Sequence, residues 1–591
     1  MNQKSVSEKE VGIISFLSKT QPFPSILKQR YSDFIVNEID ENRKVVYLTN
    51  KNYEEEETEK PTKSTNLEGF KQIKEIFSEE ISQKFEEFLK NLQNSKKIKI
   101  QNSKKFFQFP EIESKETRKR VHEIIRDNFE NLISKTDDKN SIITQEKTGN
   151  IRYWPSNRPV YLKFVLYKEN QELNGAISLI SRLTRIGPKI FSYAGIKDKR
   201  GITTQNITAF KVEAQKLEKI NSRLRKIQLG NFEYIDNPIN LGQLWGNRFI
   251  ICLRDIKGND EEIIEATNSL KNKGFINYFG LQRFGSSSIP THKIGIALIQ
   301  KDWKKAVELI LENRPNDTPD ITQARDYYFK EKNPAKAFNA FPKSFIAERS
   351  VLANLKKQKD NFKNAIFGIT RNLRMLYGHS LQSYLFNWMT TTRIQQNQDE
   401  ILEGDLVLID SNPYIVKKED IESKKFSIED VVLPIPGEYS IFPQNQEVLK
   451  TIEEKLSKEN ITMDQFKEAS KELLLTGDYR NIIQIPQNVQ FEIVYYSEPD
   501  ELLLKENIES LDIDLSQKVL KSNTDSFEDN QKKLKGLILQ FDLKSSDYAT
   551  MCIREITKMD TSTEIQTKLA RNSKKRILEE NENEKEKEKE N

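Results

Sequence analysis

Short runs of alternating apolar residues, none long enough to bury itself alone, are spread from one end of this 591-residue chain to the other. Phe34, Val36 and Glu38 alternate with Ile35 and Asn37. Leu162, Phe164 and Leu166 alternate with Tyr161, Lys163 and Tyr167. Ile207–Val212 and Phe249–Leu253 are strand-like, and Leu537–Leu543 alternates again. Period two is the pattern of a strand. Helical stretches separate these runs, so distant parts of the chain must supply one sheet, and the class expected is α+β.

The helical stretches are read from period 3.6. Leu173, Ala176, Ile177, Ile180 and Leu183 share a face that Gly187-Pro188 ends, and Asp260 to Leu270 is stopped by Gly274. Ile294 to Leu311 and Lys363 to Tyr377 read as helix, and Leu381, Tyr384, Leu385, Trp388 and Met389 form a core stripe. Ser546 is expected to cap a helix through Tyr548, Ala549, Met551, Cys552 and Ile556. From Thr49 to Asn150 the composition turns to Glu, Lys, Asn and Ser, with a helical face at Ile73, Ile76, Phe77, Ile81, Phe85, Phe88 and Leu89. This is read as an insertion, partly helical and partly disordered. Beyond Lys568 a low-complexity charged tail is expected, containing Lys574-Lys-Arg576 and the Glu- and Lys-rich stretch from Glu582 to Glu590.

Composition narrows the chemistry. No apolar run approaches the roughly 18 residues of a membrane span, and Met1-Asn-Gln-Lys-Ser is not a signal peptide, so a soluble intracellular protein is expected. Cys252 and Cys552 lie in apolar surroundings and read as small core residues. Three scattered histidines, His122, His292 and His379, leave little for zinc or a Ser-His-Asp triad. Phosphate-loop, dinucleotide and nucleophile-elbow motifs are missing, so carboxylates and lysines must carry any catalysis. Charge is uneven: Ile151 to Asp255 holds 18 Lys and Arg against 8 Asp and Glu, a local +10 in a chain of net +5. A basic surface of this kind attracts polyanions such as RNA.

Within that basic region lies Phe191-Ser-Tyr-Ala-Gly-Ile-Lys-Asp-Lys-Arg-Gly-Ile-Thr-Thr-Gln205, an apolar run that turns at four charges and continues into β-favouring residues. Upstream, Lys28, Asp33, Phe34, Val36 and Glu38 match a K-x-x-P-E-D-F-x-V-x-E segment in which Tyr31 and Ser32 replace Pro and Glu. Downstream stand Gly246-Asn-Arg-Phe249 and Tyr278-Phe-Gly-Leu-Gln-Arg-Phe-Gly285, then Gly404–Ile409, Val431–Gly437 and the closing strand and helix. Together these segments resemble the TruD family of RNA pseudouridine synthases, in its eukaryotic branch.

The resemblance implies a pseudouridine-synthase-like catalytic domain with a mixed, mainly antiparallel sheet. A second α+β (TRUD) domain and the charged insertion would interrupt it. The implied layout is catalytic domain at 11–48, insertion at 49–150, catalytic domain at 151–285, inserted domain at 286–486, catalytic domain at 487–568 and tail at 569–591. It further implies that Asp198, in a G-x-K-D pattern with Gly195 and Lys197, is the catalytic carboxylate and Lys28 the cation beside it. Asn247, Phe249, Phe34 and Tyr548 would line the uracil pocket. Lys197 and Arg283 are read either as RNA contacts or as structural. Lys96, Lys97, Lys99, Lys104 and Lys105 are read as an auxiliary RNA contact or a solvated face. No cofactor or metal is implied, and the partner is RNA: transfer RNA, with messenger or small RNA as further substrates. A monomer is expected, in the nucleus and secondarily the cytoplasm. The alternatives are a catalytically inactive RNA-binding or RNA-chaperone protein of the same fold, and a charged scaffold.

Overall fold

The computed structural model describes residues 6–53, 67–97, 106–129, 132–146, 154–155, 158–285, 288–315, 317–504, 534–562, 564–573 and 575–576. Nine strands from across the chain form one sheet: β1 (Ile26–Leu27), β2 (Phe34–Ile39), β3 (Tyr161–Glu169), β4 (Phe191–Tyr193), β5 (Ile202–Phe210), β6 (Ile227–Ile235), β7 (Gly246–Arg254), β8 (Gln487–Tyr496) and β9 (Leu534–Lys544). Four helices matter most to the site: α1 (Leu173–Thr184), α2 (Asp260–Lys273), α3 (Arg371–Gln396) and α4 (Ala549–Thr557). The strand order is β8-β9-β7-β2-β5-β3-β6, with β1 added on β7 and β4 on β5. Only β2 and β5 pair in parallel; the other pairs of this sheet are antiparallel.

Register shows how this pairing arranges the side chains. Val36 pairs with Thr203 in β5 and Phe249 in β7, while Phe249 pairs with Phe541 in β9 and Thr203 with Lys168 in β3. One face therefore carries Phe34, Val36, Phe249, Leu539 and Phe541 against α2 and α4. Farther across, it carries Leu162, Phe164, Leu166, Ile207 and Ala209 against α1. Between these two apolar patches the same face turns polar. The opposite face packs Ile35, Val165, Ile202, Ile250 and Ile538 into a separate core. All six residues of β2 are consequently buried, Glu38 included.

The inserted domain combines helices with a four-stranded sheet in which Leu406–Ile409 and Val431–Ile435 are central. Leu381, Leu385 and Met389 of α3 are buried, as the stripe predicts. The stretch from Ile294 to Leu311 is not one helix. It breaks at Lys301, whose φ is 58°, and Asp302 caps a second helix at Trp303–Leu311 by accepting a hydrogen bond from the Lys305 amide. Ser546 does not cap α4, for it lies at φ 77° in the left-handed region and Tyr548 is the N-cap.

The insertion holds more than helix. Leu67–Ile76, Glu79–Lys97 and Lys115–Asn128 accompany a three-stranded sheet of Phe106–Glu111, Leu132–Thr136 and Ser141–Glu146, around its own core of Phe85, Phe109, Val121 and Ile125. The side chains of Lys96, Lys97, Lys99, Lys104 and Lys105 lie outside the described residues. At the other end, helix continues over 564–573 and Arg576 pairs with Asp255 at 2.7 Å, so packed chain extends beyond the expected start of the tail at 569. Cys252 and Cys552 are both buried and free, as composition indicates.

One buried ion pair fixes the lead-in to β2. Arg254 and Asp33 are 0% and 1% exposed and meet at 2.7 Å, while Asp33 also accepts from the Arg30 amide and Arg254 donates to the carbonyls of Pro499 and Glu501. Removing one partner leaves the other charge buried and unpaired. Asp33→Ala is therefore expected to cost about 3–5 kcal/mol in chemical denaturation. Asp33→Leu combined with Arg254→Met should cost clearly less than the sum of the single changes.

Candidate active site

The polar strip at the middle of the sheet is roofed by the loop between β4 and β5. This loop closes onto β2 because Gly201 has no side chain: a Cβ there would stand 2.6 Å from the Phe34 carbonyl oxygen. Beneath it, the fully buried Lys168 of β3 donates from Nζ to the Asp198 backbone carbonyl at 2.8 Å. Burial pushes the Lys168 ammonium down to about 8, with the Asp198 charge opposing and Lys197 adding to the shift.

Asp198 itself is 25% exposed at the side chain. Its carboxylate faces Lys28 Nζ at 3.8 Å and accepts a long hydrogen bond from Gln282 Nε2 at 3.5 Å. Lys28 adopts φ 56°, an uncommon backbone for a lysine. Its ammonium lies 3.5 Å from the Phe34 ring centroid. The Phe34 ring meets Phe249 edge-on at 5.9 Å, and Phe249 lies 5.7 Å from Phe541. Burial depresses the Lys28 pKa, opposed by Asp198 and reinforced by Arg200. The Asp198 carboxylate, the Lys28 ammonium and the Phe34 and Phe249 rings thus form one contiguous row.

Lys197 points elsewhere. Its Nζ is 3.0 Å from Glu38 Oε2, with the two side chains 3% and 2% exposed, and Glu38 Oε1 accepts from the Asn206 amide. Burial raises the Glu38 pKa and lowers that of Lys197, each opposed by its partner. Of the two readings of Lys197, its geometry is that of a structural ion pair. Glu38 is in turn the cross-strand partner of Asn247, which therefore sits on the Phe249 side of the sheet. The Asn247 Oδ1, Gln205 Oε1 and Thr203 Oγ1 atoms are buried with no hydrogen-bond partner among the described residues. They lie on β7 and β5, the strands on either side of β2.

The string from Tyr278 to Gly285 forms the rim and is held by the inserted domain. Asn387 of α3 brackets Phe279, accepting from its amide at 2.8 Å and donating to its carbonyl at 3.0 Å. The Tyr278 hydroxyl meets Thr391 at 2.6 Å. Gly280 lets Tyr548 approach, since a Cβ there would lie 2.9 Å from that ring. Phe279 meets Tyr548 edge-on at 6.2 Å. Tyr548 thus stands beside the rim, with Gln282 linking that rim to Asp198. Arg283 lies 5.4 Å from the Phe279 ring, and its Nε is buried without a hydrogen-bond partner among the described residues.

Two residues were absent from the motif reading. Gln282 lies within a quoted string but carried no expected role. Lys168 had a usable signal: it continues the inward positions Leu162, Phe164 and Leu166, so a cation falls on the buried face of a strand. Tyr31, where the motif has Pro, hydrogen-bonds Glu169 at 2.9 Å, so its replacement is accommodated by β3.

Comparison with known proteins agrees with the fold and the motifs. Residues 141–556 match the family model described as tRNA pseudouridine synthase D (TruD), and residues 71–150 match the PUS7L N-terminal domain. The human protein named pseudouridylate synthase 7 homolog is 36% identical over 583 residues, covering 96% of this chain and 84% of that one. The Schizosaccharomyces pombe multisubstrate pseudouridine synthase 7 is 31% identical, covering 94% of this chain and 91% of its own. Among solved structures, a Methanosarcina mazei chain described as tRNA pseudouridine synthase D superposes with TM-score 0.54 at 20% identity, covering 93% of this chain and 97% of that one. The chain belongs to the TruD family and is an RNA pseudouridine synthase.

Proposed function

We propose that Asp198 is the catalytic carboxylate of this synthase, with Lys28 as its cation and Asn247, Phe249, Phe34 and Tyr548 as the uracil pocket. The reaction breaks the N1–C1′ bond of a uridine, turns the base and forms a C5–C1′ bond; C5 gives up its proton and N1 gains one. Nothing else enters or leaves. The observation that carries the assignment is the contiguity of Asp198, Lys28, Phe34 and Phe249, drawn from three separate chain segments.

Each residue then has a physical task. The target uridine must leave its stack, and the freed base must be held so that it turns rather than escapes. Asn247 Oδ1 can accept from the uracil N3–H, and the Phe249 and Phe34 rings offer apolar surface to the base. Asp198 acts as an anion whether it attacks C1′ or removes a ribose proton, and the Lys28 ammonium stabilises that anion at 3.8 Å. Lys168 holds the loop from below through the Asp198 carbonyl.

The substrate in this reading is transfer RNA, with messenger and small RNAs as further substrates, handled by a monomer. We place the protein in the nucleus with a cytoplasmic fraction mainly on the family resemblance; the basic triplet Lys574-Lys-Arg576 adds little, and its Arg576 pairs with Asp255. Pseudouridine mapping in cells with and without the protein identifies the RNAs, and fluorescence imaging tests the compartment.

Asp198→Asn should abolish tritium release from 5-labelled uridine in RNA while leaving RNA affinity within a few fold. Turnover equal to wild type would exclude this residue from the chemistry. RNA affinity itself should fall steeply with salt, since Lys and Arg contacts to phosphate release counterions. Lys168 has a pH signature of its own. Between pH 8 and 10.5 the unfolded chain retains a proton that the folded chain has released, so this group's contribution to stability rises with pH across that window. In denaturation experiments the stability of wild type relative to Lys168→Met should therefore increase from pH 8 to 10 and stay level below about 7.5; a constant difference would refute the assignment.

A further inference from the structure

Beside the catalytic row, and not containing Asp198, lies a polar cleft of about 460 Å³ between the end of β9 and the inserted domain. Its size falls within the ~300–1,000 Å³ of ligand-holding pockets. Two chain segments link it to the catalytic row at single-residue steps. Gln282 hydrogen-bonds Asp198 and the next residue, Arg283, lines the cleft; Asp547 lines the cleft and the next residue is Tyr548. The cleft is thus joined to the site at Asp198 through adjacent residues of the rim.

The lining has two parts. One is internally satisfied: Arg480 donates to Asn277 Oδ1, to the Asn277 carbonyl at 3.0 Å and to the Ser546 carbonyl at 3.0 Å, and lies 3.6 Å from Asp547. These groups brace the wall, to which Asp478 adds a second carboxylate beside Asp547. The other part is less committed: the Arg283 guanidinium packs 5.4 Å from the Phe279 ring, and the Lys544 charge acts on Asp547. Arg283 makes no ion pair among the described residues, has a buried Nε lacking an acceptor, and shares the cleft with the exposed Lys544. A guanidinium and an ammonium in a concave polar site suit a phosphate or the acceptor edge of a base.

We propose that this cleft binds a nucleotide of the substrate RNA adjoining the target uridine, and that Arg283 is its principal donor. The inference rests on the RNA synthase reading above and adds a second nucleotide site to it. Enzymes that act on an extruded base commonly select sequence through contacts to the flanking nucleotides, and an occupied neighbouring site would keep the strand anchored while the target base turns.

The test pairs protein variants with modified RNAs. A short substrate RNA is made with an abasic residue, or a methylphosphonate linkage, at each position on either side of the target. These are assayed for kcat, KM and affinity with wild type, Arg283→Met, Arg283→Lys and Lys544→Ala, each checked for an unchanged melting temperature. Wild type should lose about tenfold or more in kcat/KM at one flanking position, the size of one charge-assisted contact. Arg283→Met should lose about as much on intact RNA, mainly in KM, and lose nothing further on the RNA modified at that position; Lys should partly rescue. Lys544→Ala supplies the same cycle should Arg283→Met fail to fold. A penalty independent of where the RNA is modified, or no penalty for either variant, overturns the proposal. If Asp198→Asn also turns over normally, the catalytic reading fails as well; if it is inactive, only the cleft is lost.

Discussion

The parallel pairing of β2 with β5 is the constraint on which the site depends. Val36 beside Thr203 joins an antiparallel group of strands covered by α2 and α4 to another covered by α1. Each helix layer dries its own half of the sheet. Along the seam neither layer supplies apolar cover, and the strands present Lys168, Thr203, Gln205, Glu38 and Asn247 instead. Polar groups buried at the middle of a sheet weaken a fold unless they are paired or kept for a ligand. The Glu38–Lys197 pair satisfies part of the strip, while Asn247 Oδ1, Gln205 Oε1 and Thr203 Oγ1 have no hydrogen-bond partner among the described residues.

Three lysines surround one loop, and their environments separate their tasks. Lys197 is adjacent to Asp198 in sequence, yet its ammonium goes to Glu38 and pins the loop to β2. Lys168 reaches the backbone of Asp198 from below. Lys28 alone of the three meets the carboxylate, and it arrives from a segment 170 residues earlier, held by the Asp33–Arg254 pair. Sequence distance is thus a poor guide to electrostatic partnership, because successive side chains of an extended chain point to opposite sides.

This explains what was legible beforehand. The strands at Phe34, Leu162, Phe249 and Leu537 were readable because alternation survives wherever one face meets a helix layer. The contrast between Lys28 and Lys197 was carried by motif resemblance alone; nothing in local spacing distinguishes them. The small sheet of the insertion was hidden because segments such as Leu132–Thr136 are short, polar and only partly buried. The break at Lys301 was hidden for another reason: apolar residues continue in phase across it, and only a left-handed residue followed by a capping aspartate gives it away.

The inserted domain belongs in the same account. Its long helix α3 grips Phe279 through both hydrogen-bonding groups of one asparagine and Tyr278 through Thr391, which itself donates to the Gly12 carbonyl. The gripped string ends in Phe284, buried against His292, so the short turn carrying Gln282 and Arg283 is fixed at both sides. The Gln282 side chain reaches the Asp198 carboxylate and that of Arg283 lines the neighbouring cleft. A rigid turn with two consecutive polar side chains aimed at two sites fixes the spacing between those sites. It also gives the inserted domain a physical reason to sit where it does, since α3 holds the string that carries this turn.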